Sequence, residues 1–436
     1  MISALMIAVF CIGYLAIALE HPIKIDKAAS ALFTGVLLWV MLIFSGVGGE
    51  HGPHDALVHH LFDIASILFF LLGAMTIVEV VDAHNGFSTI TDRIHTKSLV
   101  NLAWIFALVT FFMSAVLDNL TTSIVMISLA RKLIPDVKTR WLFGGIIIIA
   151  ANAGGAWSPI GDVTTTMLWI KGQLPEPLVF IKNLLIPSLV TILVPLIFLS
   201  FSLRNKFTEE VVKKPVEGEG AHHGPTHSKG ERRLVFALGV GGLLFIPVFK
   251  QITHLPPFMG MMFSLSVLWI FTEIMHRKKV QEIKSKMTVL HILQRIDTAS
   301  ILFFLGILLA VAGLQEAGHL ATLATTLDNS IGNIYAINVM IGLLSAIIDN
   351  VPLVAAAQGM YEIADTGVFA AGGEFWQFLA YCAGTGGSCL IIGSAAGVAV
   401  MGLEKIDFIW YMKRISLLAL SGYLGGALVY YLMHVH

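Results

Sequence analysis

Three carboxylates stand where the surrounding sequence offers them no water. Asp118-Asn119 lies at the centre of an apolar run over 98–130, and Asp349-Asn350 at the centre of a run over 333–360. Asp162 follows Ser158-Pro159-Ile160-Gly161 inside a third run, 141–170. A carboxylate in a low-dielectric interior needs a counter-charge or a proton. No Lys, Arg or His lies mid-span to supply one, so a cation or a proton from outside must. Neutral oxygens gather close by: Asn119, Asn350, Ser114, Asn152, Thr164 and Thr165, with Ser345 and Ser388 in the second half. Carboxylate, hydroxyl and carbonyl oxygens are hard ligands that suit small cations. Low dielectric penalises the charged form, so one carboxylate can hold either a proton or a sodium ion. Competition for that site, with access alternating between two faces, is antiport. Asn119 with Thr121 and Thr122, and Asn350 ahead of Pro352, read as N-caps of the helical arms that follow. Caps alone leave three acids unexplained.

The elements that carry these residues follow from composition. The chain has 436 residues, 56% hydrophobic and 13% charged, with a mean hydropathy of +0.83. Those values exclude a disordered chain, a coiled coil and an ordinary soluble enzyme. With 27 Lys+Arg against 28 Asp+Glu, no bulk positive charge is present to bind nucleic acid. Cys11, Cys382 and Cys389 sit in apolar stretches and imply no disulfide framework. Apolar runs of spanning length recur at 3–19, 28–46, 61–81, 98–130, 141–170, 179–203, 234–250, 257–275, 298–316, 333–360, 376–402 and 411–433. Met1–Leu19 lacks a basic leader and a small-residue cleavage site, so it reads as a retained span. The runs with acidic pairs, 98–130 and 333–360, are expected to be re-entrant hairpins. The runs with Gly-rich patches, Asn152-Ala153-Gly154-Gly155 and Gly384-Thr385-Gly386-Gly387, are expected to be broken helices.

Ten full crossings then remain. They put 24 of the 27 basic residues on one side and only Lys171, Lys182 and Lys250 on the other. The positive-inside rule makes the rich side cytoplasmic and leaves both termini outside. The hydrophilic 204–233 segment reads as a cytoplasmic linker; a His-based metal or pH sensor around His222 and His223 is the alternative.

The two halves resemble each other. Asp63-Ile64-Ala65-Ser66-Ile67-Leu68-Phe69-Phe70 matches Asp297-Thr298-Ala299-Ser300-Ile301-Leu302-Phe303-Phe304 at an offset of 234. Ser114 and Asp118-Asn119 match Ser345 and Asp349-Asn350 at 231, and Gly154-Gly155 with Gly161 match Gly386-Gly387 with Gly393 at 232. Each half has five crossings and one hairpin. Five is odd, so the halves, 1–203 and 234–436, are expected to be inverted, with the first hairpin facing the cytoplasm and the second facing outside. Inverted repeats with broken helices place their site at mid-membrane. Asp63 and Asp297 form a second tier near the run ends. Glu79, Asp82, Glu273 and Glu316 read as interface charges, and His51, His54, His59 and His60 as solvent-exposed.

The motifs Ser114-Ala115-Val116-Leu117-Asp118-Asn119-Leu120-Thr121-Thr122 and Asn152-Ala153-Gly154-Gly155-Ala156-Trp157-Ser158-Pro159-Ile160-Gly161-Asp162-Val163-Thr164-Thr165 resemble the NhaD-type sodium/proton antiporters of the ion transporter superfamily. Ser345-Ala346-Ile347-Ile348-Asp349-Asn350-Val351-Pro352 resembles their second hairpin tip. The resemblance covers about 30–433. It implies exchange of Na+, and often Li+, for protons in bacterial inner membranes or plastid envelopes, with a bacterial inner membrane the expectation here. It implies an all-α polytopic fold of scaffold and transport domains, in homodimers, with elevator-like movement and no cofactor. The matching residues expected to matter are Ser114, Asp118, Asn119, Asn152, Asp162, Thr164, Asp297, Thr298, Ser345, Asp349 and Asn350, with Na+ at Asp118, Asn119 and Asp162. Ser394 stands where the first half has Asp162. The rival within the superfamily is a sodium-coupled carboxylate or oxyanion symporter, which the tip Asp residues disfavour. An intramembrane enzyme such as a metalloprotease is disfavoured, because the sequence has no His-Glu-x-x-His and no Gly-x-Ser-x-Gly. A passive channel does not account for the paired acids.

Overall fold

A computed structural model describes residues 2–45, 52–91, 96, 98–203, 228–277 and 288–434. Among these residues the chain is helical throughout, with a single isolated bridge between Ala364 and Ala370 and no strand. Eight helices are long and apolar enough to cross a membrane by length and composition: Lys27–Ser45, Gly52–Ala83, Leu99–Leu117, Pro177–Phe201, Lys229–Thr253, Pro257–His276, Thr298–Glu316 and Ser416–His434. Shorter apolar helices lie beside them. This is the architecture of a polytopic membrane protein.

Both acidic runs fold as hairpins. The first has arms Leu99–Leu117 and Asn119–Leu133, joined by Asp118 alone. The second has arms Ile334–Leu344 and Asn350–Met360. Both Gly-rich runs break in the middle, into Val137–Ala156 and Val163–Ile170, and into Glu374–Gly386 and Ala395–Glu404. At 19 residues the first arm of the first hairpin is about 28 Å long, enough to cross. The two arms are anchored at their far ends: Trp104 near the start of the first donates to Ser200 at 2.9 Å, close to the end of Pro177–Leu203, and Arg131 near the end of the second meets Glu404.

Helices of the two halves exchange partners. Lys27–Ser45 packs along Thr298–Glu316, and Gly52–Ala83 along Pro257–His276. A Cβ on Gly306 would strike the backbone of Ala31 and Leu32, and one on Gly35 the Gly306 carbonyl. The two backbones therefore touch, and Trp39 Nε1 locks them by donating to the Leu309 carbonyl at 2.9 Å. In the rest of the molecule the first hairpin packs on the first broken helix and the first arm of the second hairpin on the second. Pro177–Leu203 runs along Ser416–His434, and the two broken helices touch each other.

Among the described residues, the ion pairs join residues that the expected ten-crossing topology puts on the same face. Lys171 reaches Asp63 at 3.7 Å and His60 reaches Glu316 at 2.8 Å on one face; Arg131 and Arg140 reach Glu404, and Arg295 reaches Glu79 at 3.8 Å, on the other.

Three expectations change. The run at 61–81 is a helix that begins at Gly52, with Pro53 in the first turn where its missing N–H costs nothing. His54, His59 and His60 are therefore helical, and His60 is paired and partly buried rather than solvated. The linker ends earlier than 233, because Ser228 and Glu231 form a capping box that starts Lys229–Thr253. Residues 204–227, with His222 and His223, lie outside the described residues, as does His51.

Candidate cation and proton site

The breaks and tips depend on glycine where backbones cross. A Cβ on Gly154 would meet the Phe111 backbone, and one on Gly386 the Gly342 backbone; these are repeat-related pairs. Gly161 lies against the Ser114 carbonyl and Gly393 against those of Ser345 and Ala346. Each hairpin is thus seated on its broken helix backbone to backbone. Hydroxyls fasten the seats: Ser114 Oγ donates to the Ala151 carbonyl at 2.6 Å, and Ser345 Oγ to the Ala383 carbonyl at 3.1 Å. Ser114 and Ser345 therefore hold the site's frame.

The N-caps of the second arms are the acids, not the asparagines. Asp118 Oδ1 accepts from Thr121 N at 2.8 Å and Oδ2 from Thr121 Oγ1 at 2.9 Å. Asp349 Oδ1 accepts from Val351 N at 3.2 Å. This corrects the cap assignment of Asn119 and Asn350. Helix geometry explains it: capping falls to the residue before the first helical turn, and the next side chain points about 100° away, here inward. Asp118 sits at φ 78°, ψ 161°, a region that costs a non-glycine residue about 1–3 kcal/mol.

Freed from capping, both asparagines reach the first break. Asn119 Nδ2 donates to Asp162 Oδ2 at 3.2 Å, and Asn350 Nδ2 to the same oxygen at 3.1 Å. Asp162 Oδ1 accepts from Thr164 N at 3.2 Å, capping Val163–Ile170. Three donors, one of them the first turn of a helix, therefore face one carboxylate and offset part of the cost of burying it. Asn119 Nδ2 also lies 3.2 Å from Asn152 Oδ1. Asn152 Nδ2 donates to Ser388 Oγ and Ser394 Oγ, each at 2.9 Å. One network thus joins both hairpins and both breaks, and all of it is buried; Asp162 is 2% exposed.

The network gathers Asp162, Asn119, Asn350, Asn152 and Ser388 from the set expected on sequence. It adds Ser394, which caps Ala395–Glu404 by accepting from Gly397 N at 3.1 Å. Its signal in the sequence was the repeat offset from Asp162. Thr165 Oγ1 donates to the Asp162 carbonyl at 2.9 Å, while buried Thr164 Oγ1 has no protein partner. The second tier lies apart. Asp63 meets Lys171, Asp297 caps its own helix through Ser300 N at 3.1 Å, and Thr298 is exposed beside it.

Comparison with known proteins shows that the chain is similar to transporters. The family model described as "Citrate transporter" matches residues 14–381. "Sodium/proton antiporter 1" of Arabidopsis thaliana is 48% identical over 98% of this chain and 72% of its own length. "Sodium/proton antiporter 2" of the same plant is 44% identical over 98% and 99%. "Na(+)/H(+) antiporter NhaD" of Vibrio cholerae is 30% identical over 98% and 91%.

Proposed function

The chain belongs to the NhaD-type sodium/proton antiporters, within the wider citrate-transporter family, and from that membership we propose that it exchanges Na+, and Li+ as well, for H+ at Asp162. The observation that carries the reading is the single carboxylate on which both hairpins converge. A cation bound there neutralises Asp162 and draws on the amide and hydroxyl oxygens around it. When it leaves, a proton takes its place, because the buried site tolerates a bare carboxylate poorly. The two species therefore compete, and neither load crosses without the other returning.

The expected transport mode is alternating access. The helices packed as Lys27–Ser45 on Thr298–Glu316 and Gly52–Ala83 on Pro257–His276 serve as the scaffold; the hairpins and broken helices form the moving part. The division into inverted halves, 1–203 and 234–436, fits the exchanged helix pairs and the sorting of ion pairs by face. A dimer is the expected assembly, and the membrane is a bacterial inner membrane or a plastid envelope, with the termini outside. Asp118 and Asp349 cap the tips next to the two asparagines that reach Asp162, so they position the site that Asp162 holds.

A sodium-coupled carboxylate symporter is the less favoured reading. The network is centred on the Asp162 carboxylate and no cationic side chain donates into it, so a substrate carboxylate placed there would meet a like charge. The test is proton movement in inside-out vesicles with an acid lumen. Addition of NaCl or LiCl should alkalinise the lumen, KCl should not, and Asp162→Asn should abolish the response. A response that requires a dicarboxylate together with Na+ would overturn the antiport reading.

A further inference from the structure

Two hydroxyls next to the site have no role in the frame or in the network. Thr122 and Ser123 are both 0% exposed, and neither Thr122 Oγ1 nor Ser123 Oγ has a hydrogen-bond partner in the protein. They lie three and four residues after Asn119 on the arm Asn119–Leu133, so they share its face one turn further along. That face, Asn119, Thr122, Ser123, Met126, Ile127 and Ala130, is buried against both broken helices. From Asn119 the arm runs toward the face that carries Arg131, Arg140 and Glu404.

Folding does not require hydroxyls there. At the offset of 231 the second half carries Leu353 and Val354, and Val354 is fully buried in an apolar cluster. Burying an unpaired hydroxyl is unfavourable, and two side by side double that cost. The same asymmetry runs through the site. Asp162, Thr164 and Thr165 in the first half stand opposite Ser394, Ala396 and Gly397 in the second. Thr164 Oγ1 is also buried and unpartnered. Thr164 lies on Val163–Ile170, which packs on the second hairpin's arm Asn350–Met360, so among the described residues Thr122 and Ser123 are the unpartnered buried hydroxyls on the first hairpin.

We propose that Thr122 and Ser123 form a second oxygen station for the transported alkali cation, on the inner side of Asp162. This rests on the cation-exchange reading above. The station takes a partly dehydrated Na+ or Li+ between the inner face and the carboxylate, replacing some of the water lost on entry. It carries no charge, so the cation pauses there without being trapped, and the proton, bound at Asp162, has no need of it.

The experiment uses the full-length chain in inside-out vesicles. Thr122→Val keeps the shape and deletes the hydroxyl, Thr122→Ser restores it, and Ser123→Ala is combined with each. Thr122→Val with Ser123→Ala should raise the half-saturating Na+ and Li+ concentrations about tenfold and leave the maximal rate within about twofold. Thr122→Ser alone should stay near wild type. Exposed Ser128→Ala, which removes only a bond to the Ile124 carbonyl, is the control. An unchanged half-saturating concentration in the double variant, or a loss of rate that Thr122→Ser shares, overturns the station. If the double variant does not accumulate, single Thr122→Val and Ser123→Ala give the same readout, with about threefold shifts expected from each. If wild type shows no Na+-driven proton movement, the antiport reading itself fails.

Discussion

Asn119 and Asn350, repeat-related residues from two different hairpins, place their side-chain amides on one oxygen of Asp162, at 3.2 and 3.1 Å. A near-symmetric frame thus serves an asymmetric centre. Asp162 has only Ser394 as its counterpart, and Ser394 is joined to it indirectly, through Asn152 and Asn119. The second half contributes an amide to the carboxylate and hydroxyls to its support, while the charge belongs to the first half.

It follows that Asn350 matters as much as Asn119 although it lies in the half without the carboxylate. A hydrogen bond to a charged group is worth about 1.5–3 kcal/mol, or roughly ten- to a hundredfold in affinity. Asn350→Ala and Asn119→Ala should each raise the half-saturating Na+ concentration by at least about tenfold. Sodium titration of vesicle exchange checks this. A normal titration in Asn350→Ala would show that the second hairpin does not reach the cation.

The tip acids should behave as caps. Asparagine caps as well as aspartate, whereas alanine costs about 0.5–2 kcal/mol. Asp349→Asn should keep the thermal midpoint of the detergent-solubilised protein, and Asp349→Ala should lower it. At Asp118 the backbone adds a second effect: φ 78° suits glycine. Asp118→Gly should therefore be more stable than Asp118→Ala although both lose the cap bond. The reverse order would mean that the tip adopts another backbone conformation.

The glycine seats give a paired prediction. A methyl at Gly154 or Gly386 falls on the backbone of Phe111 or Gly342, with no flexible side chain to yield. Gly154→Ala and Gly386→Ala should each abolish exchange and sharply reduce the amount of folded protein recovered by size exclusion. Gly402, whose Cβ would meet nothing, should accept alanine without loss.

Much of this was legible in the sequence because membrane depth leaves few choices. An acid pair or a glycine patch in the middle of an apolar run must turn or break the helix, so the hairpins and broken helices could be located closely. What could not be read was which of two adjacent polar residues caps and which points inward. Asp118 and Asn119 have similar capping preferences, and a single helical step of about 100° decides between them. Pairings between distant loops were equally hidden. His60 looked solvated because Glu316 arrives from the other half of the chain. Glu404 closes an apolar run and gave no sign of its partners, Arg131 and Arg140, which lie in the first half.

That last cluster supports a ranking. Glu404 has a side chain 1% exposed and receives Arg131 Nε and Arg140 Nε, each at 2.5 Å, while Trp141 Nε1 donates to its carbonyl at 3.1 Å. It ties the C-terminal end of Ala395–Glu404, in the second broken helix, to the first hairpin and the first broken helix. Removing one member of a buried ion cluster costs about 3–5 kcal/mol, because the remaining charges lose their partner. Glu404→Ala strands two cations and should be the most destabilising change. Arg140 is 17% exposed and also donates to the carbonyls of Ile134 and Pro135, so Arg140→Ala comes second. Arg131 is 44% exposed, water already screens it, and Arg131→Ala should cost least. Thermal unfolding of the three purified variants reads the order directly. Equal losses, or Arg131→Ala falling furthest, would mean that the cluster is not buried in the folded protein.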